Sequence, residues 1–178
     1  AQLGTAQIRA LTAAAVAGMT TAQISNLSTD QVGALSADQL KTLTTSQVVA
    51  ITTAQAAVLT SAQMTGISAT QIAAMQTADV AALSTAVIST LNAAQVQGMT
   101  TAQIEGLSTT QVAKLAATQL AALSSTQMAA MQTDDLKQLD TAQLGYLNQN
   151  VFSGLGTAQV ANMGTAQIAG LGGLQVKQ

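Results

Sequence analysis

Large apolar residues fall on the first and sixth positions of an eight-residue frame that runs from Leu3 to Gln178 with no insertion or deletion. Leu, Met or Ile fills the first position of every octad, and Ile, Val or Leu most of the sixth; Ser/Thr, Thr, Ala and Gln occupy the places between. Spacings of five and then three put successive apolar side chains on opposite faces of a strand, so a half-buried strand does not fit. A continuous helix fails as well. At about 100° per residue an eight-residue repeat drifts by roughly 80°, and the apolar positions would wrap around the cylinder.

A helix restarted in every octad does fit. In Leu27-Ser28-Thr29-Asp30-Gln31-Val32, Ser28 is placed as an N-cap with Gln31 three residues on, which is a capping box. Leu27 and Val32 stand at the two positions of a hydrophobic staple. The same pairing recurs at Thr20 with Gln23, Thr44 with Gln47, Ser68 with Gln71, Thr100 with Gln103, Ser108 with Gln111 and Ser124 with Gln127. Ala fills the helical turn, as its propensity favours. Gly or Asn closes some octads, at Gly18, Asn26, Gly66, Gly98, Gly106, Gly154, Asn162 and Gly170, where a left-handed exit is available. Helices of about five or six residues result, some of them 3₁₀. Isolated helices that short are unstable, so each octad must stack on its neighbours. The fold class predicted is all-α: an open solenoid of 22 octads, with residues 1–178 as one domain and with first- and sixth-position residues such as Leu107 and Val112 in one continuous core. Two octads per coil give an antiparallel helical pair and three a triangle; the reading leans to two.

The fifth-position Gln residues have two competing uses. They form either a ladder of amides facing a ligand or other chains, or a set of bonds to their own capping boxes and to the next coil. The second is preferred, because Asp79 and Asp135 also accept in the box while Ala15, Val87 and Val151 are tolerated, and a catalytic residue would be singular. Thr pairs such as Thr20-Thr21 and Thr100-Thr101 suit an N-cap followed by the first helical residue, although a flat hydroxyl array would also order water. Asp134, Asp135 and Asp140 lack the spacing of calcium-repeat loops and enclose Lys137, so a solvated face is preferred to a metal site. Tyr146 and Phe152, the two aromatic residues, flank and enter the most divergent octad, Leu147–Gly154, where Phe152 is read as filling a slot.

Composition removes most chemistry. Charged residues make up 7% of the chain, net charge is -2, and there is no His, Cys, Pro or Trp. Catalytic, cofactor and metal sites are therefore expected to be absent, and the chain is read as not an enzyme. The basic residues Arg9, Lys41, Lys114, Lys137 and Lys177 are dispersed, which disfavours nucleic acid as a partner. Polar residues in every octad exclude a membrane span. The chain begins at the seventh position of an octad without Met, and is read as part of a larger protein.

The run Met99-Thr100-Thr101-Ala102-Gln103-Ile104, followed by Leu107-Ser108-Thr109-Thr110-Gln111-Val112, resembles octad arrays in very large bacterial surface or secreted proteins of the adhesin-like or haemagglutinin-like kind. The resemblance covers nearly the whole chain, carries no site motif, and implies an extracellular structural or adhesive region. The function expected is a repeat segment of an extracellular fibre, filament or adhesin stalk at the cell surface. The expected partners are copies of itself, through Ala-rich faces with residues such as Ala121, Ala129, Ala161 and Ala169, with room for an unidentified surface or matrix ligand. A binding module with a Thr/Gln face, for ice or glycan, is the alternative.

Overall fold

The computed structural model describes residues 3–171, so all but the first residue of the last octad, including Gln175, lies outside them. Among the described residues there are twenty-one α-helices of four to six residues, numbered in chain order from α1 (Thr5–Ala10) to α21 (Thr165–Ala169), each starting eight residues after the one before. Among the described residues there is no strand and no 3₁₀ helix. The regular start is set by one residue: every N-cap lies in the second position with extended backbone, as at Ser28 (φ -69°, ψ 161°) and Thr100 (φ -73°, ψ 160°). Where that residue is Ser, Thr, Asn or Asp, its side chain accepts from the backbone N–H three residues on and restarts the helix.

The short helices wind into an open α solenoid. Each packs against the third helix before it and the third after it: α12 (Ala93–Gly98) lies against α9 (Ala69–Ala74) and α15 (Ala117–Ala122), and α10 (Thr77–Ala82) against α7 (Thr53–Ala56) and α13 (Thr101–Glu105). Side-chain hydrogen bonds between coils span 25 to 31 residues and centre on 28. A coil therefore holds about three and a half octads, not the two favoured from the sequence. The half octad staggers successive coils like courses of brick, so the first turn of one helix lies beside the last turn of a helix in the next coil.

That stagger also replaces the expected left-handed exits. No described residue, glycine included, has positive φ. Gly18, Asn26, Gly106 and Gly170 end their helices in right-handed conformation, with φ between -80° and -89°. At some last positions the neighbouring coil leaves room only for glycine. A Cβ added to Gly66 would lie 2.0 Å from the Ala37 carbonyl oxygen, and one on Gly154 would lie 2.1 Å from that of Ser125.

The core runs the length of the solenoid, and its two apolar positions cover different seams. Sixth-position residues are buried from Ile8, in the first coil, to Leu144, whereas Ile168 in the last coil is exposed. First-position residues behave in the opposite sense at the start: Leu3 is exposed and Leu11, Met19 and Leu27 are half-buried, but Leu35 and every later one to Leu147 is buried. The first position thus leans on the preceding coil and the sixth on the following one. Val32, Leu107 and Val112 are buried, and Leu27 is only partly covered because it lies in the first coil.

The expectation of copies of the chain as partner is corrected by this packing. It rested on outer faces being needed for burial, yet the chain encloses its core alone, and the large apolar residues left exposed, Leu3, Val49, Val58, Tyr146 and Ile168, are scattered from end to end. Ala121 and Ala129, assigned to a contact with a second chain, instead give their carbonyls to the chain's own next coil, to Asn148 Nδ2 (3.0 Å) and Gln159 Nε2 (3.3 Å). Nothing in this arrangement calls for a second copy or for an outer ligand to complete it. No described helix is long and apolar enough to cross a membrane.

Candidate functional site

The most repeated polar feature is a ladder of glutamine side chains inside the solenoid wall. Gln103 shows the unit. Its Oε1 accepts from the Thr100 N–H at 2.9 Å, which is the reciprocal half of the capping box, and its Nε2 donates to the carbonyls of Ile72 (2.8 Å) and Met75 (2.7 Å) in the preceding coil. Those acceptors lie 31 and 28 residues earlier, at the corner where one helix ends and the next begins. Short helices leave such carbonyls without partners within the helix. One amide therefore satisfies an N-terminal donor of its own helix and C-terminal acceptors of the coil beneath.

The other capping pairs follow. Ser28, Thr44, Ser68, Ser108 and Ser124 each accept from the backbone N–H of Gln31, Gln47, Gln71, Gln111 and Gln127 respectively, and each of those Gln residues accepts from its N-cap N–H. Gln47 reaches the Met19 carbonyl, Gln71 that of Leu43, Gln111 that of Leu83 and Gln127 that of Met99, all at 2.6 to 2.8 Å. Gln31 reaches Leu3. Thr20 and Gln23 form their box in the first coil, where no coil lies beneath, and Gln23 stays exposed. Where the N-cap is Gly156 or Ala116, with no side-chain oxygen, the Gln still accepts from its N–H at 2.7 Å. The glutamine half of the box is the part the fold retains.

Three of the departures from Gln share a feature that sequence reading missed; Val87, with Ser84 at its N-cap, does not. At Asp79, Asp135 and Val151 the ladder amide is absent, and in each of those octads an amide stands at the second position instead. Gln76, Gln132 and Asn148 donate to the carbonyls of Val49 (3.1 Å), Glu105 (2.9 Å) and Ala121 (3.0 Å), each 27 residues earlier. The signal was present as Met-Gln-Thr-x-Asp at Met75–Asp79 and again at Met131–Asp135. Asp79 and Asp135 are each 2% exposed. Burial pushes both carboxyls above the ordinary carboxylate range, against the lowering effect of hydrogen bonds from the Thr53 hydroxyl and the Gln76 backbone on Asp79 and from the Gln132 backbone on Asp135. Proximity of Asp134 raises Asp135 further.

The remaining candidates separate in space. Asp134 is exposed and paired with Lys137 Nζ at 2.9 Å, whereas Asp140 caps its helix by accepting from the Gln143 N–H at 2.7 Å. Among the described residues no group of His, Cys, Asp and Glu has the arrangement of a metal site. Third-position Thr side chains do not stack on one another from coil to coil, because the stagger sets the last position of the next coil beside them, as Gly106 lies against Thr77 and Gly170 against Thr141. Tyr146 is exposed and Phe152 half-buried. A groove of about 330 Å³ opens at the first coil between Leu3, Met19 and Leu27, and a polar one of about 620 Å³ runs past Gln97, Ser124, Asn148 and Asn150.

Octads that cannot fold alone, stacked coil on coil by side chains that bridge one coil to the next, define an α-solenoid repeat protein. The chain belongs to the ALTTAQ repeat family, whose model matches residues 1–37, 72–109 and 128–178. The six residues of that description correspond to the eighth and the first five positions of the octad, which carry the staple residue, the N-cap and the ladder Gln. No curated protein and no solved structure matches the chain.

Proposed function

We propose that this segment is a structural spacer, a repeat stretch of an extracellular or cell-surface protein of the adhesin-like kind, with no catalytic role. One observation carries the reading. The amides that could have formed a recognition face are turned inward, each with its hydrogen bonds spent on its own cap and on the coil beneath, as at Gln95, Gln103 and Gln127. A repeat built this way changes in length by pairs of coils, seven octads at a time, without altering its surface chemistry. The absence of Cys and His suits a setting of variable redox state and pH. The ice-binding alternative calls for an in-register Thr array, and the stagger interrupts one.

Two measurements test the proposal. An antibody raised against the chain is expected to label intact, unpermeabilised cells. In a single-molecule pull the segment is expected to yield coil by coil, in steps of roughly 95 Å of extended chain. Labelling only after permeabilisation, or a saturable affinity for glycans that survives unfolding of half the coils, would overturn it.

A further inference from the structure

We propose that Asp79 and Asp135 make two seams of the solenoid acid-tightened: each seam is closed more firmly with its carboxyl protonated and loosens as the carboxyl ionises. Both residues occupy the fifth position, where every other described coil seam except those at Val87 and Val151 presents an amide to the corner of the coil beneath. By the register of Gln103 over Ile72 and Met75, the corner carbonyls are those of Val48 and Ile51 for Asp79, and those of Ile104 and Leu107 for Asp135. An ionised carboxyl offers only acceptors to a corner that needs donors, whereas a protonated one carries an O–H that can take the place of the amide N–H.

The surroundings show which form the site suits. Thr53 Oγ1 donates to Asp79 Oδ1 at 2.8 Å, and Oδ2 of both Asp79 and Asp135 is buried with no hydrogen-bond partner. Among the described residues no cation faces either carboxyl. On the helices packed against α10, α7 carries no charge and α13 carries only exposed Glu105; α14 (Thr109–Val112) and α20 (Thr157–Ala161), packed against α17 (Thr133–Leu136), carry none. Glu105 also stands at the corner beneath Asp135, and Asp134 beside it adds a second like charge. Lys137 is engaged by Asp134, and Lys114, beyond the end of α14, is exposed. The Gln76 and Gln132 bonds to the lower coil hold at any pH, so ionisation loosens a seam without parting it.

The folded-state carboxyls titrate above the ordinary range because burial disfavours their charged form. The stability they contribute is therefore fully present below the unfolded-state value of about 3.9 and is lost as pH rises through the higher folded-state values. The solenoid is expected to be firmer in mild acid than at neutrality.

Hydrogen exchange on the full chain at pH 5 and pH 7.5, corrected for intrinsic rates, tests this. Amides of α7, α10, α14 and α17 are expected to exchange more slowly at pH 5 than at pH 7.5, and Asp79→Asn with Asp135→Asn is expected to abolish the difference. Carbon-13 titration of the wild-type carboxyls needs no variant, and it is expected to place Asp79 and Asp135 above the ordinary aspartate value of about 3.9. Asp79 and Asp135 carboxyls that titrate at or below that value would overturn the proposal. So would a pH difference that persists in the double variant, or protection that follows added Ca²⁺ at fixed pH.

Discussion

A single glutamine in this fold answers three needs, and a serine or threonine answers one. At Gln103 the amide holds the Thr100 N–H and the carbonyls of Ile72 and Met75, all in a wall largely withdrawn from water. Replacing it by Met keeps the bulk and strands those groups, and leaving buried polar groups unpaired is what makes such changes costly. Gln103→Met is expected to destabilise by about 2 to 4 kcal/mol, against about 1 kcal/mol for Thr100→Ala, whose lost cap bond is partly replaced by water. Urea unfolding of the two variants checks the order, and equal losses would show that the ladder contributes nothing beyond the cap. The capping half of this arrangement was legible in the sequence because it is local, three residues from donor to acceptor. The other half was not. Nothing in one octad says which octad lies beneath it, so the amide's two inter-coil bonds became visible only with the stacking.

At the scale of the helix, the same separation between local and stacked constraints explains the glycines. Their place at the ends of octads suggested left-handed exits, but the helices end right-handed and the requirement comes from the neighbouring coil. Two glycines isolate the effect. Gly33, the last residue of α4 (Thr29–Gly33), has nothing within 4 Å of an added Cβ, whereas Gly154 would set one 2.1 Å from a backbone oxygen of Ser125. Gly33→Ala is expected to stabilise by about 0.5 to 1 kcal/mol through reduced backbone entropy of the unfolded chain. Gly154→Ala is expected to destabilise by about 1 to 3 kcal/mol, since the coil above must lift to admit the methyl group. Thermal midpoints that move in the same direction for both would contradict the brick-like stagger.

At the scale of the whole chain, the period that matters is two coils. One coil, three and a half octads long, is not a whole number of repeats, so identical positions return to the same column only after seven octads. The sequence does carry that period: Asp79 and Asp135 are seven octads apart, as are Gln76 and Gln132, and Gly98 and Gly154. It was hidden because the octads resemble one another so closely that the eight-residue signal swamps the longer one, and only the odd residues report it. Length changes should therefore be tolerated unequally. Deleting residues 77–132 joins Gln76 to Thr133, leaves Gln76 over the Val49 carbonyl, and brings Asp135 into the place of Asp79 above Thr53, so every coil below the cut meets an equivalent coil above it. Deleting only residues 77–84 keeps the octad frame but, across the cut, moves each octad one place around the coil, which sets Gly98 away from the Ala69 backbone it accommodates and, by the same register, puts Thr90 over Thr53 where Ala82 lay. In a one-dimensional array, stability is a sum over repeats and their interfaces. The seven-octad deletion is thus expected to lower the urea m-value in proportion to length with little change in midpoint, whereas the one-octad deletion lowers the midpoint despite removing far less. Equal midpoints for the two would mean that any octad stacks on any other, and the two-coil period would lose its physical basis.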